Sequence, residues 1–578
     1  MQTHPSLIRA LTAALLAGAP LAAQNSTLLP PSGLVLSGAY EDWATQPPTF
    51  VNAVTGWSDF FNAGYLGAST TIANVEGGTI WFGHEVFQRP DGVTSTLTTY
   101  TNPAAGSLNQ LDFHATTVGH VLAGTGYLAA QNAYTYAGLG MAPMASVISA
   151  GVATGFSTSD LGAFETTTES VITPFKALFS GVGATRADVI NSSWGMADPT
   201  ASAPEILAID GLARQNPTVA FVASAGNSGT DPVSAPGACY NGIAVGSLGG
   251  ADFLQPSAFS SHGLVDFYNP ATGVTLSGVR SAVDLAAPGE LLFLAAYLGN
   301  TGSLGAALPG ITQTPSPTGL YFTNMDGTSY SAPIVAGGIA LLKDAAHTLL
   351  SGNPMASDTR VVKSVLMASA QKTAGWNNGQ TLINGASVTT QGLDPATGAG
   401  ALNLSTAATV YYFGTTDVPG TGGGSIAPAG WDAGTVNLRA ATNDYQFAVP
   451  FIQDFGISIA LNWFSVRGFD ALTNQGVDLG FSDLDLELWQ LKAGVFTTLV
   501  GRSASLYNNS ECLRFDSLAA GEYGLRVRFD GTVYDLTQSG IQSESYGLAW
   551  NTLEVPETSA AASCGLGLVI LLVIRRRR

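Results

Sequence analysis

The segment DGTSYSAP, residues 326–333, places a serine where a turn enters an apolar helix pattern. Small residues surround Ser329, and Pro333 is tolerated in a first helical turn because its missing N–H would have no partner there. Free N–H groups at a helix N-terminus can stabilise a developing oxyanion, so Ser329 is a candidate nucleophile. Taken alone, the pattern also fits an ordinary helix cap made by Ser or Thr.

A serine hydroxyl becomes a good nucleophile only when a nearby imidazole can take its proton. His114 opens the segment HATTV, which continues as a small-residue helix pattern to Ala123. His120, further along the same helix, is the rival base, with helix packing or solvent contact as its alternative role. We favour His114 because it opens the helix rather than lying within it.

Two further polar residues follow predicted strands. Asn227, in the segment SAGNSG, can donate a hydrogen bond to a tetrahedral intermediate, although Asn is also common in turns. Glu76, in the segment IANVEGG, can orient His114 and stabilise its imidazolium form, with a surface Glu at a turn as the alternative.

Other titratable residues near these segments receive no catalytic role. Asp59 and Glu85 lie outside the strand-end position that Glu76 occupies. His84 is interpreted as a structural residue after the first strand, His262 as a loop residue and His347 as a helix-surface residue.

The elements that position these residues follow from the apolar pattern. Short apolar runs at 71–75 and 219–223 predict buried parallel strands, and Ala-rich stretches at 331–350 and 359–370 predict helices. Their alternation predicts an α/β domain with helices on both faces of a parallel sheet. The site is then expected beyond the carboxyl ends of the strands.

Read together, these segments resemble the motifs of the subtilases. GTSYSAP, residues 327–333, is similar to their nucleophile motif, and AGN, residues 225–227, to their oxyanion motif. HAT, residues 114–116, is similar to their histidine motif, with Ala where Gly is usual. Four more segments resemble the family in the same chain order: GMAP (140–143), NSSWG (191–195), FSS (259–261) and DLAAPG (284–289). The resemblance covers residues 56–410 and implies a subtilisin-like sheet.

The resemblance also implies an exported serine endopeptidase that works through an acyl-enzyme. Ser329 would attack the peptide carbonyl, His114 would carry the proton, and Glu76 would orient His114. Asn227 and the Ser329 N–H would hold the oxyanion. In the segment that resembles the substrate-pairing strand, Ser193, Trp194 and Gly195 would bind the substrate backbone. No cofactor is implied, and protein or peptide substrates are the expected partners.

Three features depart from the family pattern. Glu76 stands where subtilases carry Asp, which would place the backbone further from His114. Residues 24–55 leave no room for an inhibitory prodomain, and the insert at 153–185 gives no side-chain preference. These departures keep open a catalytically inactive surface protein with a binding or structural role. An esterase or amidase on the same triad is the third interpretation.

Beyond a Gly/Pro/Thr-rich linker, short strand patterns predict a small all-β sandwich. They lie at 456–463, 484–489, 523–527 and 546–550. The segments 461–463, 483–486, 519–523 and 546–550 resemble the jelly-roll domains appended to secreted bacterial peptidases. Asp483 and Asp485 alternate on one strand, so both face one side. A contribution to Ca²⁺ binding is one interpretation, and a solvated strand face is the preferred one.

Both ends carry targeting patterns. Residues 1–23 predict a secretory signal peptide. Residues 555–578 consist of VPET, an apolar stretch and four Arg. They resemble a PEP-CTERM sorting signal, and this resemblance implies an exosortase-type partner, contact with the membrane and a location at the cell envelope. A plain tail anchor is the alternative. The predicted divisions are a signal peptide (1–23), an arm (24–55), a peptidase domain (56–410), a linker (411–430), a β-sandwich (431–554) and a sorting tail (555–578).

Composition excludes one class of partner. The net charge of −19 and a pI near 4.5 would repel a polyanionic backbone, so we expect no nucleic-acid partner. Three Cys are too few for a disulfide framework. Cys239 and Cys512 could form one bridge or remain buried thiols, and no Cys or His spacing predicts a metal site.

Overall fold

A computed structural model describes residues 51–88, 96–128, 133–157, 162–297, 299, 301–303, 320–413, 421–537 and 540–552. The predicted signal peptide and sorting tail lie outside these residues, as does almost all of the predicted arm. Within them, the α-helices are Val51–Val54 (α1), Trp57–Ala63 (α2), Phe113–Ala123 (α3), Thr168–Ser180 (α4), Pro204–Gln215 (α5), Thr328–Leu349 (α6), Thr359–Ala368 (α7) and Leu404–Tyr412 (α8).

Strands fall into two sets along the chain. The first set is Thr71–Glu76 (β1), Leu97–Tyr100 (β2), Thr125–Leu128 (β3), Ala133–Leu139 (β4), Ser146–Gly151 (β5), Gly155–Phe156 (β6), Phe164–Glu165 (β7), Val189–Ser192 (β8), Ala220–Ser224 (β9), Ile243–Gly249 (β10), Gln255–Pro256 (β11), Val265–Asn269 (β12), Val274–Arg280 (β13), Leu285–Pro288 (β14), Leu292–Ala296 (β15) and Leu320–Met325 (β16). The second is Thr381–Ile383 (β17), Ala386–Thr389 (β18), Gly424–Ile426 (β19), Ala429–Asn437 (β20), Thr442–Phe447 (β21), Phe455–Trp463 (β22), Val466–Asp470 (β23), Gln475–Lys492 (β24), Val495–Ser503 (β25), Ser510–Leu518 (β26), Glu522–Asp535 (β27) and Ser543–Asn551 (β28).

The central sheet has the strand order β11-β10-β9-β8-β1-β5-β2, with β14 paired to β10. Its pairings are parallel except that between β10 and β11. Parallel strands are buried on both faces, which is why they read as continuous apolar runs in the sequence. β1 lies in the middle of this sheet, between β8 and β5.

Helices cover both faces of the sheet and form two apolar cores. Ile72 and Val189 face a core built with α2, α3, α6, α7 and α8. Ala73 and Ile190 face the opposite core, built with α4 and α5. Successive strand residues alternate between faces, so one strand supplies both cores. The predicted subtilisin-like α/β class is confirmed, and so are its predicted strands and helices.

Two sheets follow in the C-terminal part of the chain. An eight-stranded sheet has the order β17-β18-β25-β24-β27-β21-β19, with β23 on β24. A four-stranded sheet has the order β20-β28-β22-β26, and apolar side chains fill the space between the two sheets. The predicted sheet-rich C-terminal region is therefore present. β17 and β18 precede the predicted linker, yet β18 pairs in parallel with β25.

Two further features were open at the level of sequence. Cys239 and Cys512 are both buried and both free, so they form no bridge with each other. In the part of the chain that the structure describes, no helix is both long enough and apolar enough to cross a membrane.

Candidate active site

Glu76 and His114 meet at the carboxyl end of the central strand. Glu76 is the last residue of β1, and His114 is the second residue of α3. Asp112 caps this helix, because its side chain accepts a hydrogen bond from the Ala115 N–H at 2.9 Å. The Nδ1 atom of His114 lies 2.9 Å from Oε2 of Glu76. The carboxylate thus holds the imidazole with its Nε2 atom free for proton transfer.

The second carboxylate oxygen of Glu76 has its own partner. Oε1 accepts a hydrogen bond from the backbone N–H of Ser193 at 2.8 Å, just after β8. Burial raises the pKa of Glu76, while the bonds from His114 and Ser193 act in the opposite direction. Glu76 is completely buried and cannot be hydrated, so these two donors supply the hydrogen bonds that its carboxylate needs.

The titration of His114 reflects this pairing. Burial lowers the pKa of His114, but the hydrogen bond and charge of Glu76, together with the charge of Asp112, raise it above its ordinary value. The ring of Tyr330 lies 6.3 Å from the imidazole between centroids. Burial raises the pKa of Tyr330 to about 12, so its phenol stays neutral near His114.

Ser329 is the second residue of α6 and faces the same place. Its hydroxyl donates to the backbone carbonyl of Ser193 at 3.0 Å, and its side chain is nearly buried. Among the described residues there is no hydrogen bond between Ser329 and His114. Such bonds are often long in the absence of substrate and tighten when it binds.

Asn227 lies three residues beyond β9 and is tied to the start of α6. Its Oδ1 atom accepts from the Thr328 N–H at 2.9 Å and from the Thr328 hydroxyl at 2.8 Å. These bonds fix the amide and leave its Nδ2 group as a donor. The Ser329 N–H belongs to the first turn of α6 and therefore has no acceptor within the helix. Both donors suit an oxyanion.

The segment 193–195 leaves the sheet beside Ser329. The indole N–H of Trp194 donates to the Val75 carbonyl at 3.1 Å, so this side chain is a buried anchor. Gly195 is exposed, and its backbone is open to an added strand. The next residue, Met196, already pairs with Ala235. An extended peptide could pair here.

Three further histidines, His120, His84 and His347, have structural partners. His120, the rival base, accepts from the Ala295 N–H at 2.9 Å and donates to the Gly138 carbonyl at 3.1 Å. Burial, with the nearby His84, lowers the pKa of His120 to about 3, so it remains neutral. His84 is buried against aromatic rings, and His347 bonds Ser69 at the surface.

Two buried asparagines near the site were missed at the level of sequence. Asn74 in β1 and Asn191 in β8 are opposite each other in the sheet, and neither is exposed. Their signal was present: an Asn interrupts each of two apolar strand patterns. The dual contact of Ser193 with Glu76 and Ser329 had no sequence signal, because it joins residues far apart in the chain.

The carboxylates considered for calcium have other surroundings. Asp485 is buried and accepts from Nε of Arg502 at 3.0 Å, so the preferred interpretation of a solvated face is wrong for it. Burial and the neighbouring Asp485 raise the pKa of Asp483 to about 7. Within the described ranges, no group of three or more His, Cys, Asp or Glu side chains could hold a metal ion.

Several solved structures are similar to this chain. Three of the solved structures that match are a prenylagaramide maturation protease, PagA (21% identity, 61% of this chain and 97% of that chain, TM-score 0.41), the self-cleaved protease domain of PatA (22%, 60% and 97%, TM-score 0.39) and a serine protease of Aeromonas sobria (16%, 92% and 100%, TM-score 0.45). No curated protein matches the sequence.

The sequence model of the subtilase family matches residues 82–400, which is more than half of the chain. The match begins after Glu76 and contains His114, Asn227 and Ser329. By this match, the chain belongs to the subtilase family.

Proposed function

We propose that this chain is a serine endopeptidase that uses a Ser-His-Glu triad. One observation carries the proposal. Glu76 of β1, His114 of α3, Asn227 of the segment after β9 and Ser329 of α6 converge at the carboxyl ends of the central strands. The position of Ser329 at a helix N-terminus adds an oxyanion donor beside the nucleophile.

The chemistry follows the acyl-enzyme route. The Ser329 hydroxyl leaves the Ser193 carbonyl, gives its proton to Nε2 of His114, and bonds to the peptide carbonyl carbon. Asn227 Nδ2 and the Ser329 N–H hold the oxyanion. His114 then protonates the leaving amine, the C–N bond breaks, and water releases the acyl group by the reverse sequence. Glu76 stabilises the imidazolium in both steps.

One observation favours a second candidate, a non-catalytic surface protein. The Ser329 hydroxyl donates to Ser193 rather than to His114. Retention of His114, Asn227 and Ser329 in one arrangement argues for the enzyme, because an inactive binding protein has no use for all three.

A fluorophosphonate probe and a mixed peptide library distinguish these candidates. We expect the full chain to be labelled and to cut peptides within their sequence, and Ser329→Ala to do neither. A matched control is Ser331→Ala, which removes a buried hydroxyl bonded to the Pro288 carbonyl in the same helix turn. A folded chain that neither labels nor cleaves would establish the surface protein instead.

We also propose that the chain is exported and acts at the cell envelope, held or processed through residues 555–578. The support is the sequence pattern: an apolar stretch followed by Arg575–Arg578, which the positive-inside rule leaves in the cytoplasm. Terminal sequencing of chain recovered from the envelope tests this. An unprocessed chain found in the cytoplasm contradicts it.

A further inference from the structure

Two amide side chains lie where apolar residues would fill the sheet. Asn74 and Asn191 are fully buried cross-strand partners on the face that carries α3. Burying an amide costs free energy unless its hydrogen bonds are made. Oδ1 of Asn191 is buried without a hydrogen-bond partner, so part of this cost is not offset. An apolar pair would avoid the cost, so the hydrogen bonds that the two amides do make indicate what they do.

These bonds form a continuous chain between two elements. Asn74 Nδ2 donates to the Ala115 carbonyl of α3 at 3.3 Å. Asn191 Nδ2 donates to Asn74 Oδ1 at 3.2 Å and to Ser193 Oγ at 3.1 Å. The chain therefore starts at the residue that follows His114 and ends at Ser193.

One end of this hydrogen-bond chain contacts the triad through Ser193, and the other end is the backbone of Ala115, the residue next to His114. The Ser193 N–H donates to Glu76 and its carbonyl accepts from Ser329, at 2.8 and 3.0 Å. Glu76 spans the gap between Ser193 and His114 with one carboxylate oxygen on each. A Glu side chain has more rotatable bonds than Asp, so it stays in one place only if both partners are fixed.

We propose that Asn74 and Asn191 are positioning residues for the Glu76–His114 pair. They set the separation between the N-terminus of α3 and the segment 193–195, which is the distance that Glu76 must span. This inference rests on the proposed function. It assigns a role to residues that touch neither the substrate nor the reacting atoms.

The titration of His114 reports this separation. The charged and titratable groups that face His114 are Glu76 from β1, Asp112 from the cap of α3, and Tyr330 from α6. Burial lowers the pKa of His114, and Glu76 offsets this with a bond and a charge. If Glu76 loses its place, we expect the pKa of His114 to fall.

The experiment compares Asn191→Ala and Asn74→Ala with Ser192→Ala in the full chain. Ser192 is equally buried and its hydroxyl also links β8 to β1, through the Val75 carbonyl at 3.1 Å. It points to the opposite face of the sheet, away from His114. The pKa of His114 is measured by NMR on chain with carbon-13-labelled histidine, assigned with His114→Gln. Peptide cleavage is measured per titrated active site.

Both asparagine variants are expected to lower the pKa of His114 and to reduce kcat about tenfold or more, with KM within about twofold. Ser192→Ala should change neither. Variants that lose thermal stability alone, with an unchanged pKa of His114, would overturn the inference. If the asparagine variants do not fold, Ser193→Ala tests the inference in the same way, because it removes only the Oγ atom at the end of the hydrogen-bond chain. The titration of His114 needs no catalysis. If the wild-type chain shows no Ser329-dependent cleavage, the proposed function is contradicted, and the pKa of His114 in the variants still decides the inference.

Discussion

At the level of single residues, Glu76 depends on two contacts that lie on different elements. One oxygen bonds His114 on α3, and the other accepts the N–H of Ser193 after β8. The backbone of Glu76 is fixed because it pairs with Gly151 of β5, while β1 pairs with β8 as far as Asn74. A side chain shorter by one methylene would start from the same backbone and could not keep both contacts.

We therefore expect Glu76→Asp, the residue usual in the family, to reduce kcat/KM by about 10- to 100-fold rather than to improve it. Glu76→Gln should cost about 10⁴-fold, because the imidazolium loses its charge partner. Removing that charge lowers the pKa of His114, so the acid limb of the pH–rate profile should move to lower pH. Steady-state kinetics from pH 5 to 9 measure both effects.

The direction of this shift follows from the proton balance. Below the pKa of His114 the imidazole is protonated and cannot accept the Ser329 proton, so activity falls with pH. A lower pKa in Glu76→Gln extends the remaining activity to more acid pH. An acid limb that stays in place, or a more active Glu76→Asp, contradicts the bridging role of Glu76.

At the level of elements, the distance between α3 and α6 sets the distance between base and nucleophile. The two helices pack side by side, with Gly337 of α6 against the chain at Met141 and near the Leu122 carbonyl. A methyl group added at Gly337 would overlap the Met141 Cβ atom. At the next residue, Gly338, it would meet only the flexible tip of Leu404, at 2.9 Å.

Gly337→Ala is expected to push α6 away from α3, lowering both Tm and kcat. Replacing a helical Gly by Ala gains about 1 kcal/mol in helix propensity, but overpacking costs about 1–3 kcal/mol. Gly338→Ala gains the same helix propensity, and its added methyl group meets only the flexible Leu404 side chain, so it serves as the control. Thermal unfolding and kcat are measured for both. Equal behaviour of the two variants would show that this crossing does not position the site.

At the level of the whole molecule, a buried charge cluster joins the C-terminal sheets to the subtilase-like part. Arg467 of β23 lies 2.7 Å from Asp210 of α5 and 3.4 Å from Asp478. Tyr240 lies between the guanidinium groups of Arg280 and Arg467, at 3.9 and 4.7 Å from its ring centroid. Arg467 and Asp210 are almost completely buried, so neither charge can be solvated if the other is lost.

Arg467→Met should lower the free energy of unfolding by about 3–5 kcal/mol, because it leaves the buried Asp210 carboxylate without its charge partner. Asp210→Asn in that background should recover part of the loss instead of adding to it. Arg528→Met is the matched control, since its pair with Asp530 at 2.6 Å is partly exposed and worth at most about 1 kcal/mol. Thermal melts of these three variants and of the wild-type chain give the comparison. A larger loss in the double variant would contradict the charge argument.

Much of this molecule could be predicted from local patterns. The short apolar runs and Ala-rich stretches predicted the strands and helices, since periods of 2.0 and 3.6 residues are local properties. The Ser329 and His114 segments predicted helix N-termini for the same reason. The sequence was silent on β18 joining β25, because parallel pairing across more than 100 residues depends on packing that no local pattern contains.

What the sequence alone determined is the chemistry available: a serine, an imidazole, an amide and a carboxylate, each at the end of a predictable element. Only the tertiary structure decided how they are joined. Glu76 contacts Ser193, and Asn74 pairs with Asn191, because the register of β1 against β8 brings together residues 117 positions apart. Ser329 contacts the same Ser193 from α6, 136 positions away, and this contact depends on how α6 packs on the sheet. Register is set by the packing of whole helices against the sheet, and that information is spread over the entire chain.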